Sequence, residues 1–290
     1  MKVSAECIHC LVRRQADGIK KEANEEKKAE YLAKVLGIIA EGAAEEPAPV
    51  LLSRISRLHE EYFGKPFSFE ELKKGYNKML LVKEAEIRQK IKEAEDPLAL
   101  ALCYSQIGNY IDFGALDSVD DEKLQDFMEQ ALTLPLDEHT YHVFVENLKT
   151  AKKLVFLTDN CGEIVLDKLL IEAIRQTAPH LECVSIVRGE PVLNDATMED
   201  ALQVGLDTLG KVLPNGTNIA GTYIPMLSEE AKKEMETADL LIAKGQGNFE
   251  SLHGCGLNIY YVFLCKCQWF MERFGLPQFS GVFINEKDLT

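Results

Sequence analysis

Apolar residues recur at helical spacing through the first half of the chain. Residues 27–44 carry such a stripe on good helix formers, and Pro47 and Pro49 break it. Residues 49–63 predict a second amphipathic helix, ending near Gly64-Lys65-Pro66. Residues 67–95 predict a third, with Ser68 as N-cap and Glu71 three places on, the spacing of a capping box. Residues 96–116 read as a mostly apolar, buried helix, and 121–134 as one more. After residue 148 the pattern changes. Residues 154–157, 182–187, 240–244 and 260–266 are short apolar runs bounded by Gly, Asp, Asn or Pro, with helical stretches between most of them. That alternation predicts an α/β fold: a Rossmann-like α/β/α sandwich over residues 148–290, preceded by an all-helical region over 1–147, in one or two sub-bundles, that covers the pocket.

Ligands of such open sheets bind beyond the carboxyl ends of the strands, so the loops there are where chemistry is sought. The first run ends in Asp159-Asn160, then Gly162, then an apolar helix. Asp and Asn are also ordinary helix caps, and this segment alone leaves both readings open. The second run ends in Arg188-Gly189, with Asn194-Asp195 before the next helix. The third ends in Lys244 and runs into Gly245-Gln246-Gly247-Asn248, a loop able to bring backbone N–H groups to an anion; it lacks the spacing of a nucleotide phosphate loop. In the fourth, Lys266 interrupts an apolar stretch and must meet an anion or reach solvent.

The types are complementary. Asp159, Asn160 and Asp195 offer oxygen ligands to a hard cation with no His or paired Cys among them, which favours Mg2+ or Mn2+ over Zn2+. Arg188, Lys244, Lys266 and the glycine-loop amides would form a cationic island for a phosphorylated ligand. Composition makes that island necessary. Net charge is −15, and no basic stripe suits nucleic acid or an anionic membrane. No apolar run reaches membrane-spanning length and the start lacks a secretion signal, so the cytoplasm is the expected compartment. The eight cysteines then read as reduced thiols, Cys103 and Cys183 as small core residues. Oligomeric state is left open.

Together with Asn109 and Asp112 in the GNYIDFGAL segment and with the CIHC start, the DNCGEIVLD, RGEPVLNDAT, KGQGNFESL and LCKC segments resemble the damage-control phosphatase family, once labelled domain of unknown function 89, in its prokaryotic subfamily. The resemblance spans nearly the whole chain. It implies a metal-dependent phosphatase acting on small phosphate monoesters such as sugar phosphates or cofactor precursors. It implies Asp159, Asn160 and Asp195 as metal ligands, with Mn2+ or Mg2+ and also Co2+ or Ni2+ as candidates. It further implies Gly245 through Glu250 (Gly245, Gln246, Gly247, Asn248 and Glu250 among them) as a substrate-contacting loop, and Lys266 as a phosphate-binding lysine. The nucleophile is left between a water and Asp159.

Other polar residues take secondary places. Asn109 and Asp112 are expected on one helix face, projecting into the pocket; Glu163 and Asp167 share a face and support the metal or mark a helix start. His139 and His142 read as exposed or capping. Cys7 and Cys10 have zinc spacing without a clear second half, unless Cys265 and Cys267 complete it; redox use and a structural role stay open. Two rivals stand beside the phosphatase. One is a non-catalytic phosphometabolite-binding protein. The other is an S-adenosylmethionine-dependent methyltransferase, disfavoured because Gly162 is the only glycine after the first strand where a cofactor loop would need several.

Overall fold

A computed structural model describes residues 1–64, 68–112, 121–131 and 134–289. Twelve α-helices and six strands lie among them. The sheet has strand order β3-β2-β1-β4-β5-β6, from β1 (Lys153–Leu157), β2 (Glu182–Val187), β3 (Lys211–Pro214), β4 (Leu240–Lys244), β5 (Ile259–Leu264) and β6 (Gly281–Asn285). The first five run parallel and β6 closes the edge antiparallel. Its four central strands are mostly apolar because both faces are covered. In β1, Leu154 and Phe156 enter one core while Val155 and Leu157 enter the other.

One face carries α8 (Glu163–Thr177), α5 (Pro97–Gly108), α4 (Glu70–Glu93) and α7 (Glu138–Thr150); the other carries α10 (Glu229–Glu236), α11 (Gly245–Leu252) and α12 (Gln268–Phe274). Helices α5 and α8 are buried on nearly every side and pack on one another, which is why their sequences lack a polar face. Helices α1 (Ala5–Gly18), α2 (Glu25–Gly42) and α3 (Ala48–Phe63) form a separate bundle around Tyr31, Val35, Leu51 and Ile55. That bundle docks on α11 and α12. The change of pattern near residue 147 therefore marks where strands begin, not where one core ends, since α4, α5 and α7 share the core of the sheet.

Several details differ from the sequence expectation. Phe69, not Ser68, is the N-cap of α4, and Ser68 only accepts from the Glu70 amide at 3.4 Å. The apolar helix ends at Gly108, earlier than its composition suggests, and leaves Asn109 and Asp112 in an irregular segment; residues 113–116 of that expected helix lie outside the described residues, as do Lys65-Pro66 and residues 132–133. Strands β3 and β6, four and five residues long, were not anticipated. A first helix over the CIHC segment was not assigned either. No helix among the described residues is long and apolar enough to cross a membrane.

Candidate active site

The strand order reverses between β1 and β4, and the crevice that opens there holds the charged strand ends. The β4 end meets the β1 end without a gap. Gly245 follows β4 with φ +78, and a Cβ on it would lie 1.9 Å from Asp159 Oδ2, so only glycine lets that carboxyl stand where it does. The loop after β2 is stitched to the loop after β1: the Ala196 amide donates to Asp159 O at 2.7 Å and the Cys161 amide to Asn194 O at 2.9 Å. Asn160 and Asp195 are thereby bridged residues. Between them Leu193 is held at φ 45, a conformation that costs energy for a branched side chain and persists only where surroundings impose it.

Asp159 is bound through both oxygens. Oδ1 accepts from Arg188 at 3.2 Å, and Oδ2 accepts from Asn109 at 3.1 Å and from Asn160 Nδ2 at 2.7 Å. Arg188 also donates through Nε to Asp195 at 2.6 Å, so one guanidinium spans both carboxylates. Glu163, in the first turn of α8, accepts from the Asn160 amide and side chain at 3.2 and 2.9 Å and from Asn109 at 3.1 Å. The Asn160 side-chain nitrogen is thus occupied on the protein side, which leaves its oxygen as the acceptor end at the cavity it lines. Lys266 pairs with Asp112 at 2.5 Å.

Burial raises Asp159 well above the ordinary carboxylate range, and Asp195, Glu163 and Asp112 add to the effect while Arg188 opposes it. Burial raises Asp195 and Asp167 as well, opposed by Arg188 and Lys244 respectively. Glu250 is pushed up to about 7 by burial, against the hydrogen bond from Cys7.

A cavity of about 470 Å3 brings together Asp159, Asn160, Asp195, Asp112, Lys266, Gln246, Gly247 and Glu250. Lys244 is not among them. Its ammonium is fully buried on the far side of β4, 3.1 Å from Glu163 and 3.3 Å from Asp167, and donates to Ser105 at 2.6 Å. The alternation along a strand sets which face a side chain takes, and at Lys244 that face is the α5–α8 side. Asn248 is also turned inward: it accepts from Thr222 at 2.8 Å and donates to the backbone of Thr158 and Lys244. Asn109 reaches Asp159 rather than the cavity, and it accepts from the Leu264 amide, tying α5 to β5. Arg188 is buried beneath the two aspartates it joins.

The rest of the cavity comes from α1, α3 and α12: Cys7, Cys10, Leu11, Arg13, Leu52 and Trp269 among others. Sequence patterning gave no register for that wall. Asn77 of α4 was missed too. It accepts from the Gly162 amide at 2.6 Å and donates to Asp200 and Gln203, pinning the turn that follows Asn160. His139 and His142 are exposed, and Asp137 caps α7 before them. A second hollow of about 550 Å3 lies between α7 and β6 with no carboxylate–cation centre in its lining.

An open, doubly wound α/β/α sheet carries paired carboxylates and a buried guanidinium at its topological switch point, the place where proteins of this class bind their ligands. Within that class the chain belongs to the family of the damage-control phosphatase ARMT1-like domain, whose model matches residues 3–282. It is 31% identical to a damage-control phosphatase of Pyrococcus horikoshii, over 99% of this chain and 99% of that one. It is 30% identical to a damage-control phosphatase of Archaeoglobus fulgidus, over 92% and 93%. An uncharacterised protein of Methanocaldococcus jannaschii is 31% identical over 98% and 96%. The crystal structure of a family protein from P. horikoshii superposes with a TM-score of 0.80, at 28% identity over 99% of both chains.

Two outcomes follow from this geometry. Gly245→Ala drives a methyl group into the Asp159 carboxyl at a positive φ, so the variant should lose roughly 1–3 kcal/mol of stability or more; an unchanged denaturation midpoint contradicts the packing. Glu250, raised when folded, binds a proton that the unfolded chain has released, so its contribution to stability is present at low pH and is lost as pH rises towards 7. Glu250→Gln should therefore flatten the decline of Tm between about pH 4 and 7, followed by thermal melts across that range.

Proposed function

We propose that this chain is a divalent-cation-dependent phosphomonoesterase acting on small phosphorylated metabolites. The observation that carries the reading is a concentration of buried acid. Asp112, Asp159, Glu163, Asp167 and Asp195 are all buried; Arg188 pairs with Asp159 and Asp195, Lys244 with Glu163 and Asp167, and Lys266 with Asp112. Burial still raises Asp159 and Asp195 despite Arg188, so these two carboxylates suit a further positive charge such as a divalent cation.

The donor set fits that cation. Among the described residues no three His, Cys, Asp or Glu side chains converge on a metal position. Asp159 and Asp195 with the oxygen of Asn160 are two carboxylates and an amide, the sparse oxygen set by which Mg2+ or Mn2+ is held when waters and substrate phosphate complete its coordination. Co2+ and Ni2+ can share such a set. When bound, the cation would supply charge neutralisation at a phosphoryl oxygen.

The chain's own residues do the remainder. Lys266, with Gln246 and Gly247 from the first turn of α11, lines the cavity, and its ammonium and their amides would hold the other phosphoryl oxygens. Arg188 keeps Asp159 and Asp195 side by side, and Asn109 with Glu163 fixes the rotation of Asn160 and Asp159. Asp159 has both oxygens committed to hydrogen bonds, the posture of a ligand; attack on phosphorus is assigned to a water. The cavity exceeds a phosphate in size and leaves room for a small organic leaving group.

Dialysis against a chelator should abolish hydrolysis of an aryl phosphate, and Mn2+ or Mg2+ should restore it. Asp195→Asn should raise the cation concentration for half-activation by an order of magnitude or more, about 1.4 kcal/mol or above, with a smaller change in KM. Undiminished activity after chelation would sink the cation's role, and saturable ligand binding without phosphate release would favour a phosphometabolite-binding protein. Rapid quenching during turnover of radiolabelled substrate should leave no hydroxylamine-labile phosphate on Asp159; its appearance would make Asp159 the nucleophile.

A further inference from the structure

Two cysteines on α1 face the same cavity as the carboxylate centre, and the proposed hydrolysis uses neither. Cys7, Cys10 and Cys267 all line it, together with Glu250 and Gln246. Each thiol is free and half-buried. Ser4 caps α1 by accepting from the Cys7 amide at 3.0 Å, which puts Cys7 in the first helical turn and Cys10 one turn further on the same face. The Cys7 thiol donates to Glu250 Oε1 at 3.7 Å, across 243 positions of sequence, and Cys267 accepts from Gln246 at 3.7 Å. No three metal-ligating side chains converge among the described residues, so these thiols as arranged form no metal site.

The spacing suits a different chemistry. Side chains three apart on a helix have Cβ atoms roughly 5–6 Å apart, and a disulfide needs about 3.5–4.5 Å, so a shift of one to two ångströms in a single helical turn closes the bond. Cys267 sits across the cavity at the N-cap of α12, and Gln246 fixes its sulfur.

We propose that Cys7 and Cys10 are a thiol–disulfide couple on the cavity wall, oxidised by low-molecular-weight disulfides, which tunes substrate binding at the carboxylate centre. The effect on binding rests on the phosphatase reading; formation of the disulfide does not. Cys10, which is not held by Glu250, reacts first. Its thiolate attacks one sulfur of the small disulfide, the S–S bond breaks, and one small thiolate leaves and takes a proton from solvent. Cys7 then attacks the Cys10 sulfur and passes its proton to Glu250 as the new S–S bond forms, and the second small thiolate leaves and is protonated. Two protein thiols lose two electrons, and the small disulfide becomes two thiols.

Glu250 suits this step because burial brings it to about 7 while the Cys7 thiol is held up at about 12, so near neutral pH the ionised share of Glu250 is the base hydrogen-bonded to the thiol. Oxidation deprives Glu250 of its thiol donor and draws in the first turn of α1. A rearranged wall that costs the bound substrate one hydrogen bond raises KM about fivefold, with kcat little changed.

The test uses the full chain loaded with Mn2+ and cystamine as oxidant, followed by alkylation and tryptic digestion. The peptide spanning residues 3–13 contains Cys7 and Cys10 and no other cysteine. It should be recovered unalkylated and lighter by two hydrogens, with KM for an aryl phosphate raised about fivefold and restored by a dithiol. Cys10→Ser should show no response to cystamine, its KM after treatment matching its own KM before. Recovery of that peptide with both sulfurs alkylated after excess cystamine, or linkage of Cys7 to Cys267, overturns the couple. A Cys7–Cys10 disulfide that leaves KM unchanged overturns the tuning. A protein that forms the disulfide yet releases no phosphate overturns the phosphatase reading and the tuning with it, while the mass measurement still establishes the couple.

Discussion

Carboxylates removed from water must find cations, hydrogen-bond donors or protons, and at the end of this sheet five of them, from Asp112 to Asp195 in sequence, are buried close together in space. Most of the surrounding architecture answers that demand. Lys244 is sunk between α5 and α8 to meet Glu163 and Asp167, and Ser105 shares both the lysine and the aspartate. Arg188 lies flat under Asp159 and Asp195. Asn109 leaves the end of α5 to reach Asp159 and Glu163 while its oxygen takes the Leu264 amide. These contacts join β1, β2, β4, β5, α5 and α8 at one point. Removing any single partner would strand a buried charge, which costs more than the pair contributes.

The network also explains why the helical half cannot be treated as a detachable cover. Helix α5 supplies Ser105 and Asn109 and is itself part of the main core. Helix α4 holds the Gly162 turn through Asn77, and Asn77 is in turn held by Asp200 at the start of α9 (Met198–Val204). By contrast α1–α3 keep a core of their own and lend only a wall to the cavity. That wall is therefore set by contacts other than those that hold the carboxylate cluster.

Part of the site was legible before any fold was known. Asp159 and Asn160 stand at a strand end and Asp195 in the loop between β2 and the next helix, and local pattern places these loops well because apolar runs with turn residues on both sides are short-range features. Lys266 was legible for a related reason: an ammonium within an apolar run needs an anion, and it has Asp112. Lys244 was counted in the cationic island because it ends a strand before the glycine loop, and the structure turns it to the other face. Local pattern could not give that face, since it depends on Glu163 and Asp167 arriving from α8. Asn109 and Asp112 were read as neighbours on a helix; in fact the helix stops at Gly108, where a Cβ would meet Leu166 at 2.9 Å.

The sequence by itself determined the alternation of elements, the parallel sheet, the positions of the charged strand ends and the family, because periodicity, turn residues and motif order are written locally. Tertiary structure alone decided which of those charges share a site and which support it from behind. It also decided that one glycine must stand against Asp159 and that α1 supplies the opposite wall. Those outcomes depend on strand order, on the face each strand residue takes and on contacts between residues far apart in the chain. The dominant energy there is that of pairing buried charge, and it is set by what else is buried nearby.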